Sequence, residues 1–436
     1  MGDVEDQVVD RGRRGDDRQG RLGMDVTGIR HGNSLSADFT RARTDDRAPP
    51  DSKAGGARTV DAVRPGFKGR SRATAHAAHS QRSNPVKEVL VMSENVVPPL
   101  PPAVVIHEMA YGLGAAAAVQ AAANLGIADL IGDEPVGVAE LAGKIGADAD
   151  AMARLLRALT VHGVFRETTA STYAHTELSL LLRDDAEGSR RDMVRLAGAP
   201  WAWRLWPKLA EAVRTGTGMF EPTYGKNLWA HLAEDPSEFT LLFDRAMTAG
   251  NSLTAGPVAD ALDLTGVGLV ADIGGGQGKL LRTVLRRHPD VAGVLFDLPS
   301  AIAEVDPELT GAGELAGRCR VVPGDCLREI PIAADVYLLK HVLHMWDDDT
   351  AVAVLRNVVT AARPGSRVVI VEQLLDRSPA ARVAATIDLL MLLLTGGKER
   401  GEADFRELLD RAGLRFDGVT ATGTILHLVT GTVRDA

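Results

Sequence analysis

A glycine-rich turn between an apolar strand and an amphipathic helix constrains the fold of this chain more than any other feature. Residues 269–302 read LVADIGGGQGKLLRTVLRRHPDVAGVLFDLPSAI. This pattern predicts a buried strand, a glycine-rich turn, a helix and a second strand. Such a unit is typical of a doubly wound α/β sheet, in which ligands bind at the carboxyl ends of the parallel strands.

The spacing within the glycine turn separates two cofactors that such a unit can hold. A dinucleotide fingerprint has the pattern G-x-G-x-x-G, but counting from Gly274 and Gly276 places Lys279 at the third glycine position. Asp272 ends the first strand, where it would repel a pyrophosphate and attract a cationic amino-acid group. Asp297 ends the second strand, where a carboxylate can accept both ribose hydroxyls. The pattern therefore favours S-adenosylmethionine over NAD.

Further segments fit the same sheet and carry polar residues at their carboxyl ends. RCRVVPGDCL predicts a strand that ends at Asp325, whose carboxylate can accept from an adenine amino group. ADVYLLKHVLHMWDDDT predicts a strand that leads into Lys340, and SRVVIVEQLL predicts one with Glu372 at its end. Glu399 lies in a glycine-rich loop before a helix, and ATGTILHLVTGTV predicts the terminal strand. We expect these polar residues to converge on one crevice.

The region before the sheet predicts helices and a short β-hairpin. Residues 103–131 are rich in alanine and poor in charge, which predicts a helix buried on most sides, in part by a partner subunit. Asp148 is placed to cap a helix over ADADAMARLLRALTVHG, and VFRETTASTYAHTELS alternates like a hairpin. This is the order of a winged helix. The second helix offers only two arginines and one histidine, which favours dimerisation over DNA binding.

Charge, cysteine content and hydropathy disfavour several classes of protein. The net charge of −9 over 436 residues disfavours a protein that coats nucleic acid. Two cysteines, Cys319 and Cys326, are too few for a disulfide framework or a four-thiolate zinc site. The longest apolar run, residues 389–394, is far shorter than the ~18 residues of a membrane span. The acidic start MGDVEDQVVD lacks the apolar core of a secretory signal. We expect a cytoplasmic protein with no membrane or nucleic-acid partner.

Residues 1–91 differ from the rest of the chain in composition. They hold 17 Lys and Arg against 13 Asp and Glu, and no period of 2 or 3.6 persists through them. Their apolar residues are too sparse to offset the entropy of ordering, so we predict disorder. The segment is a basic arm, a solvated tail or a stretch that precedes a true start at Met92. Its mixed charges favour the last two interpretations.

The motifs DIGGGQG, FDLP, GDCL, KHVLHMW, VIVEQ and GGKER, in this order and spacing, resemble those of the caffeate-type O-methyltransferases. Their bacterial relatives methylate hydroxyls of polyketides and other secondary metabolites. The resemblance covers residues 100–436 and implies a Rossmann-like methyltransferase sheet, an α-helical winged-helix dimerisation domain, S-adenosylmethionine as cofactor and a homodimer. The chain then divides into a disordered extension over 1–91, a dimerisation domain over 92–189, a helical linker and substrate-pocket segment over 190–255 and a methyltransferase domain over 256–436.

Matching residue by residue, the resemblance also implies a cofactor site and a catalytic group. The implied cofactor contacts are Gly274, Asp297, Asp325, Cys326, Lys340 and Trp346, the last of them against the adenine. The glycine turn adds Asp272 and Gly276 to this set. The general base of the family falls on His344, and its two acidic supports fall on Glu372 and Glu399.

Physical chemistry agrees with an imidazole base at this place. A phenol has a pKa of about 10, so little oxyanion exists at neutral pH, whereas a neutral imidazole with a pKa of about 6.5 can take the proton as the C–O bond forms. A carboxylate on the other ring nitrogen fixes the tautomer, and either Glu372 or Glu399 can supply it. His341 is the competing base. No metal is needed, and a nearby acidic run is interpreted as a solvated helix start or cap: Asp347, Asp348 and Asp349.

The acceptor pocket and two departures from the family pattern complete the prediction. Four residues are candidates for the pocket lining, with core packing as the equal alternative: Trp201, Phe243, Met247 and Met391. Met345 stands where plant members carry Asp after the catalytic His, and Cys326 stands where Met is common. Two other functions stay open: a winged-helix regulator that senses S-adenosylmethionine and binds DNA, and a relative that has lost methyl transfer. The retained His344 argues against both.

Overall fold

The computed structural model describes residues 100–234 and 238–435, with only the backbone for residues 238 and 239. The predicted extension over 1–91 lies outside these residues. The helices are α1 Pro102–Asn124, α2 Ile127–Leu130, α3 Val138–Ile145, α4 Ala149–Val161, α5 Glu177–Leu180, α6 Arg191–Ala197, α7 Pro200–Leu205, α8 Leu209–Thr215, α9 Phe220–Tyr224, α10 Leu228–Glu234, α11 Glu238–Ala261, α12 Lys279–Arg287, α13 Asp348–Ala361, α14 Ala381–Thr395 and α15 Glu402–Arg411. The strands are β1 Val136–Gly137, β2 Phe165–Thr169, β3 Thr172–His175, β4 Leu269–Ile273, β5 Ala292–Asp297, β6 Cys319–Pro323, β7 Val336–Lys340, β8 Arg367–Gln373, β9 Leu414–Ala421 and β10 Leu426–Val433.

The N-terminal part has the predicted order of two helices and a hairpin. Helix α4 begins where Asp148 Oδ1 accepts a hydrogen bond from the Ala151 amide at 2.8 Å, which satisfies one of the free N–H groups of the first turn. One face of α4 buries Met152, Leu156 and Leu159. Strands β2 and β3 pair as an antiparallel hairpin, and β1 adds to the outer side of β3.

Helix α1 differs from its prediction. The predicted helix over 103–131 is interrupted at Leu125 and Gly126, where the positive φ of Gly126 ends the first helix before α2 begins. Within one chain α1 is not buried on most sides, since Ile106 is 67% exposed and Met109 74%. Helix α1 is long and apolar enough to cross a membrane by length and composition alone, and its sequence holds no unbroken apolar run of that length. An 18-residue window of α1 has a mean hydropathy of 1.3, to which its many alanines contribute, and 6% of that window is buried.

The C-terminal part is built on a seven-stranded sheet in the order β6-β5-β4-β7-β8-β10-β9. The strands from β6 to β8 are parallel, and β10 runs antiparallel to both of its neighbours. Strand β9 was not predicted, because Asp417 and Gly418 interrupt its apolar pattern and its outer edge is exposed. Strand β6 ends at Pro323 and not at the predicted Asp325, since proline has no N–H for the ladder.

Helices cover both faces of this sheet and place the active region at one edge. One face packs against α13 and α15 through buried side chains such as Leu355 and Phe405, and the other packs against α11 and α12 through Val258 and Val284. The chain leaves β4 towards β5 and β6 on one side and returns to β7 and β8 on the other. The strand order therefore reverses between β4 and β7, and the carboxyl ends of these strands border the crevice in which such sheets bind ligands.

Candidate active site

The glycine turn after β4 presents bare backbone at this sheet edge. Gly274 has φ +69° and Gly276 has φ +57°, a region that favours glycine. A Cβ on Gly274 would lie 2.7 Å from Val342 Cγ2, whereas a Cβ on Gly276 would meet no atom within 4 Å. The amide of Gly276 donates to Asp297 Oδ2 at 2.7 Å, so the end of β5 holds the turn in place. The turn thus offers a close backbone approach to a ligand on its open side.

Two ionisable groups lie near the turn, of which Asp272 is buried and Lys340 is half-buried. Asp272 is 1% exposed, and among the described residues its Oδ2 has no hydrogen-bond partner. Burial raises the pKa of Asp272 to about 7, and burial lowers the pKa of Lys340 to about 8, while their opposite charges reduce both effects. The Lys340 ammonium donates to Asn251 Oδ1 from α11, a partner that sequence reasoning missed. An unpartnered buried carboxylate oxygen beside bare backbone fits a ligand with cationic groups.

The remaining predicted cofactor residues lie on the β5, β6 and β7 sides of the crevice. Asp297 Oδ1 also accepts from the Leu298 amide at 2.7 Å, so each carboxylate oxygen keeps one lone pair for a ligand hydroxyl. Asp325 follows β6 by two residues and accepts from the Leu327 amide at 2.9 Å. Burial raises the pKa of the Cys326 thiol to about 12, so it packs as a neutral group. Cys326 and Trp346 are both partly buried and pack against the same apolar core.

One of the two predicted carboxylates, Glu399, bonds to the imidazole ring of the predicted base, His344. Residues 341–348, here called the base loop, follow β7 and carry His344 in a 3-10 turn over Leu343–Met345. His344 Nδ1 lies 2.7 Å from Glu399 Oε1, and the two side chains are 12% and 2% exposed. This pair leaves the ring's Nε2 as the atom that a hydroxyl can reach. The geometry is that of an imidazole whose tautomer is fixed by a carboxylate.

The second carboxylate contacts the main chain of the base loop. Glu372 is fully buried at the end of β8, and its Oε1 accepts from the amides of Leu343 at 2.9 Å and His344 at 3.1 Å. Burial raises the pKa of Glu372, while the charges of His344 and Arg400 oppose that rise. The two glutamates therefore have different contacts, which the sequence left open: Glu399 contacts the ring and Glu372 contacts the backbone.

The electrostatic balance makes His344 more basic than an ordinary histidine. Burial alone would lower the pKa of His344, but the hydrogen bond to Glu399 and the charges of both glutamates outweigh burial and raise it. The competing His341 has φ +55° and its ring stacks on that of His344 with centroids 5.3 Å apart. Part of His341 is open to solvent, yet desolvation of its ring and the charges of Lys340 and His344 lower its pKa well below the ordinary value. Among the described residues, no carboxylate bonds the His341 ring as Glu399 bonds that of His344.

A short segment after α14 donates hydrogen bonds to the backbone of the base loop, and the sequence analysis did not predict these contacts. Residues 396–400, here called the GGKER segment, include Gly397, whose added Cβ would lie 2.3 Å from the His344 carbonyl oxygen. The Lys398 amide donates to that same oxygen at 3.0 Å. The Arg400 side chain is fully buried and donates to carbonyls of the base loop. The fully buried charge next to Glu399 is a signal that only the folded chain reveals.

The acidic run and the predicted pocket residues have mixed outcomes. Asp347 caps α13 through the Thr350 amide at 2.8 Å, but Asp348 is not merely a solvated residue, since it binds Lys398 and Arg400. In residues 100–234 and 238–435 no group of three or more His, Cys, Asp or Glu is arranged to hold a metal ion. The pocket candidates do not form one cluster. Trp201 contacts two apolar clusters, of which one contains Met391 and the other Phe243, whereas Met247 is 37% exposed.

Comparisons with known proteins agree with this architecture. The family model of an O-methyltransferase domain matches residues 206–415, and that of an O-methyltransferase dimerisation domain matches residues 107–185. The mitomycin biosynthesis 6-O-methyltransferase of Streptomyces lavendulae is 40% identical over 72% of this chain and 89% of its own length.

Solved structures show the same likeness. The mitomycin 7-O-methyltransferase MmcR is 38% identical, with a TM-score of 0.69 over 76% of this chain and 97% of that chain. The O-methyltransferase NcsB1 from neocarzinostatin biosynthesis, solved with S-adenosylmethionine and 2-hydroxy-5-methyl naphthoic acid, is 33% identical. Its TM-score is 0.62 over 73% of this chain and 95% of that chain.

Proposed function

This chain belongs to the family of S-adenosylmethionine-dependent O-methyltransferases of secondary metabolism that carry a dimerisation domain, and on that premise we propose its acceptor class and its base. The acceptor is a phenolic hydroxyl of a small aromatic or polyketide-like metabolite, and His344 is the general base. The single observation that carries the proposal is the 2.7 Å contact between His344 Nδ1 and the buried carboxylate of Glu399.

The residues at the sheet edge fit the cofactor of the family. S-adenosylmethionine supplies a methyl group that is already activated on a sulfonium. We propose that the cofactor is held by Asp272, Gly274, Gly276, Asp297, Asp325, Cys326, Lys340 and Trp346. The buried, unpartnered oxygen of Asp272 supports a cationic ligand group at this place, and the free lone pairs of Asp297 support hydroxyl donors.

In the proposed mechanism the chain moves one proton. His344 Nε2 would accept the proton of the acceptor hydroxyl, and that oxygen would then take the activated methyl group that the bound cofactor would supply. Glu399 accepts the Nδ1–H of His344, keeps Nε2 unprotonated before transfer and stabilises the imidazolium afterwards. Glu372 fixes the backbone of the base loop so that the ring faces the crevice. General-base catalysis of this kind contributes roughly 10²- to 10⁴-fold in rate.

The acceptor side and the subunit contact are proposals of the same kind. Trp201, Phe243, Met247 and Met391 are proposed to line the aromatic pocket, and Met345 makes the wall beside the base apolar where plant members carry a carboxylate. A homodimer is proposed through the N-terminal domain, because α1 exposes large apolar side chains around its axis, including Ile106, Met109 and Tyr111. A cytoplasmic location stays a prediction.

The test is transfer of labelled methyl groups from S-adenosylmethionine to a panel of phenols, with His344→Ala and His341→Ala compared. His344→Ala is expected to lose at least tenfold in kcat while it binds the cofactor nearly as wild type does in calorimetry. His341→Ala is expected to lose less, because no carboxylate in the described part of the chain supports that ring. An unchanged kcat in His344→Ala would remove this base from the mechanism. No transfer by the wild type, together with salt-sensitive DNA binding, would favour the regulator instead.

A further inference from the structure

Arg400 is a fully buried cation that touches the base loop on both sides of His344. Its Nη1 donates to the Leu343 carbonyl at 3.0 Å, and its Nη2 donates to the Trp346 carbonyl at 2.8 Å. Its Nε and Nη2 also reach Asp348 Oδ1 at 3.0 and 2.9 Å, and Nη1 reaches the Lys398 carbonyl at 3.3 Å. The guanidinium therefore donates four hydrogen bonds, and its Nη2 also lies within ion-pair distance of the Asp348 carboxylate, an arrangement that suits the planar fork of arginine.

These contacts complete the hydrogen bonding of the backbone that carries the base. The amides of Leu343 and His344 donate to Glu372, and their carbonyls accept from Arg400 and Lys398, respectively. A 3-10 turn of three residues has poor internal hydrogen bonds and does not hold its own geometry. The position of the His344 ring is therefore determined from outside the turn, by β8 on one side and by the GGKER segment on the other.

The backbone of Arg400 is itself tied to the sheet. Its carbonyl accepts from the Leu375 amide at 3.1 Å, and the residue forms a parallel bridge with Leu374 just beyond the end of β8. Glu372 lies two residues before that bridge. The end of β8 therefore positions both Glu372 and Arg400, the two side chains that bond to the backbone of the base loop.

We propose that Arg400 is a positioning residue for methyl transfer, which holds the base loop by its carbonyl groups so that His344 faces the acceptor. The inference rests on the proposed role of His344 as base. Arg400 contacts the main chain on either side of His344 and not the His344 ring, so it acts through the position of the base loop.

The charge of Arg400 also acts on the base. The ionisable groups around His344 are Glu399, Lys398 and Arg400 from the GGKER segment, Glu372 from β8, Asp388 from α14 beside the Glu399 amide, Asp348 and His341 from the base loop and Lys340 from β7. Both glutamates favour the imidazolium of His344, and Arg400 opposes it. Removing this positive charge is therefore expected to raise the pKa of His344, whereas a lysine at this position keeps the charge.

The experiment compares Arg400→Lys and Arg400→Gln, with Arg406→Gln on the exposed face of α15 as control. Arg400→Lys keeps the positive charge but cannot bond to both carbonyls, so kcat is expected to fall at least tenfold. The KM for S-adenosylmethionine is expected to stay within threefold, and the acid limb of the pH–rate profile is expected to stay in place. Arg400→Gln is expected to show the same fall in kcat with its acid limb moved to higher pH. A kcat within threefold of wild type in Arg400→Lys would overturn the inference, as would an unmoved acid limb in Arg400→Gln. Arg406→Gln is expected to stay within twofold.

Two further measurements keep the inference testable. If neither Arg400 variant folds, Asp348→Asn is used instead, because it weakens the ion pair with Arg400 and leaves Arg400 in its buried site. It is expected to lower kcat by about threefold or more at unchanged KM. An unchanged kcat would then overturn the inference. His344→Ala is assayed in parallel. Loss of activity in His344→Ala with full activity in Arg400→Lys defeats only the role of Arg400, whereas full activity in His344→Ala defeats the proposed base.

Discussion

Replacing Glu399 by glutamine changes one atom in the group that fixes the tautomer of the base. The wild-type contact is a charge-assisted hydrogen bond of 2.7 Å between side chains that are 12% and 2% exposed. Bonds of this kind contribute about 1.5–3 kcal/mol, and an energy of that size corresponds to about 10- to 150-fold in rate. A glutamine amide can also donate to Nδ1, which places the proton on Nε2 and leaves the ring unable to accept one from the acceptor. We expect Glu399→Gln to lower kcat by at least tenfold.

The pH dependence of this variant gives a second, independent result. The hydrogen bond and charge of Glu399 raise the pKa of His344, so the wild-type acid limb of kcat/KM is expected above pH 6.5, with activity rising as the imidazole loses its proton. Without the carboxylate the imidazolium is less stable, so the acid limb moves to lower pH. Steady-state kinetics from pH 5 to 9 with labelled cofactor measures both effects. Retention of kcat within threefold, with an unmoved acid limb, would refute the reasoning.

Three other changes test separate parts of the account. Gly397→Ala brings a Cβ to 2.3 Å from the His344 carbonyl oxygen, so it is expected to lower the free energy of unfolding by about 1–3 kcal/mol and kcat by more than tenfold. The control is Gly317→Ala, where a Cβ meets no atom within 4 Å, and it is expected to change neither quantity. Equal denaturation midpoints for the two would contradict this. Ile106→Glu on the exposed face of α1 is expected to convert dimer to monomer in sedimentation, and Val161→Glu on α4 to leave the dimer intact. A dimer in both would exclude that face. Asp297→Asn is expected to weaken S-adenosylmethionine binding at least tenfold in calorimetry, and wild-type affinity would remove Asp297 from the cofactor site.

The sheet and its ligand-binding edge were predictable because their signals are local. A strand, a glycine turn and a helix follow one another within 20 residues around Gly274. Three later parallel strands carry a polar residue at or next to their carboxyl ends: Asp297, Lys340 and Glu372. Strand β9 was not predictable in this way, since it is an edge strand whose pairing with β10 depends on the folded sheet. The exposure of α1 was not predictable either, because an alanine-rich sequence does not show whether a helix packs within its own chain or stays exposed.

The sequence predicted which residues come together around the proposed base, but it did not predict the separate contacts of the two glutamates. The sequence placed His344, Glu372 and Glu399 together, yet both glutamates were equal candidates for the ring nitrogen. Only the folded chain shows that Glu399 reaches Nδ1 while Glu372 accepts from two amides. Arg400 was missed because its importance comes from burial and from acceptors more than 50 residues earlier in the chain, which no local pattern contains.

The most direct test of the proposed base is a structure of the protein with S-adenosylhomocysteine and the phenol that it methylates best. The distance to measure joins the acceptor oxygen and His344 Nε2. The account predicts a separation of about 2.6–3.2 Å, with Glu399 still bonded to Nδ1. An acceptor oxygen placed beyond hydrogen-bond reach of His344, or bonded instead to His341, would contradict it.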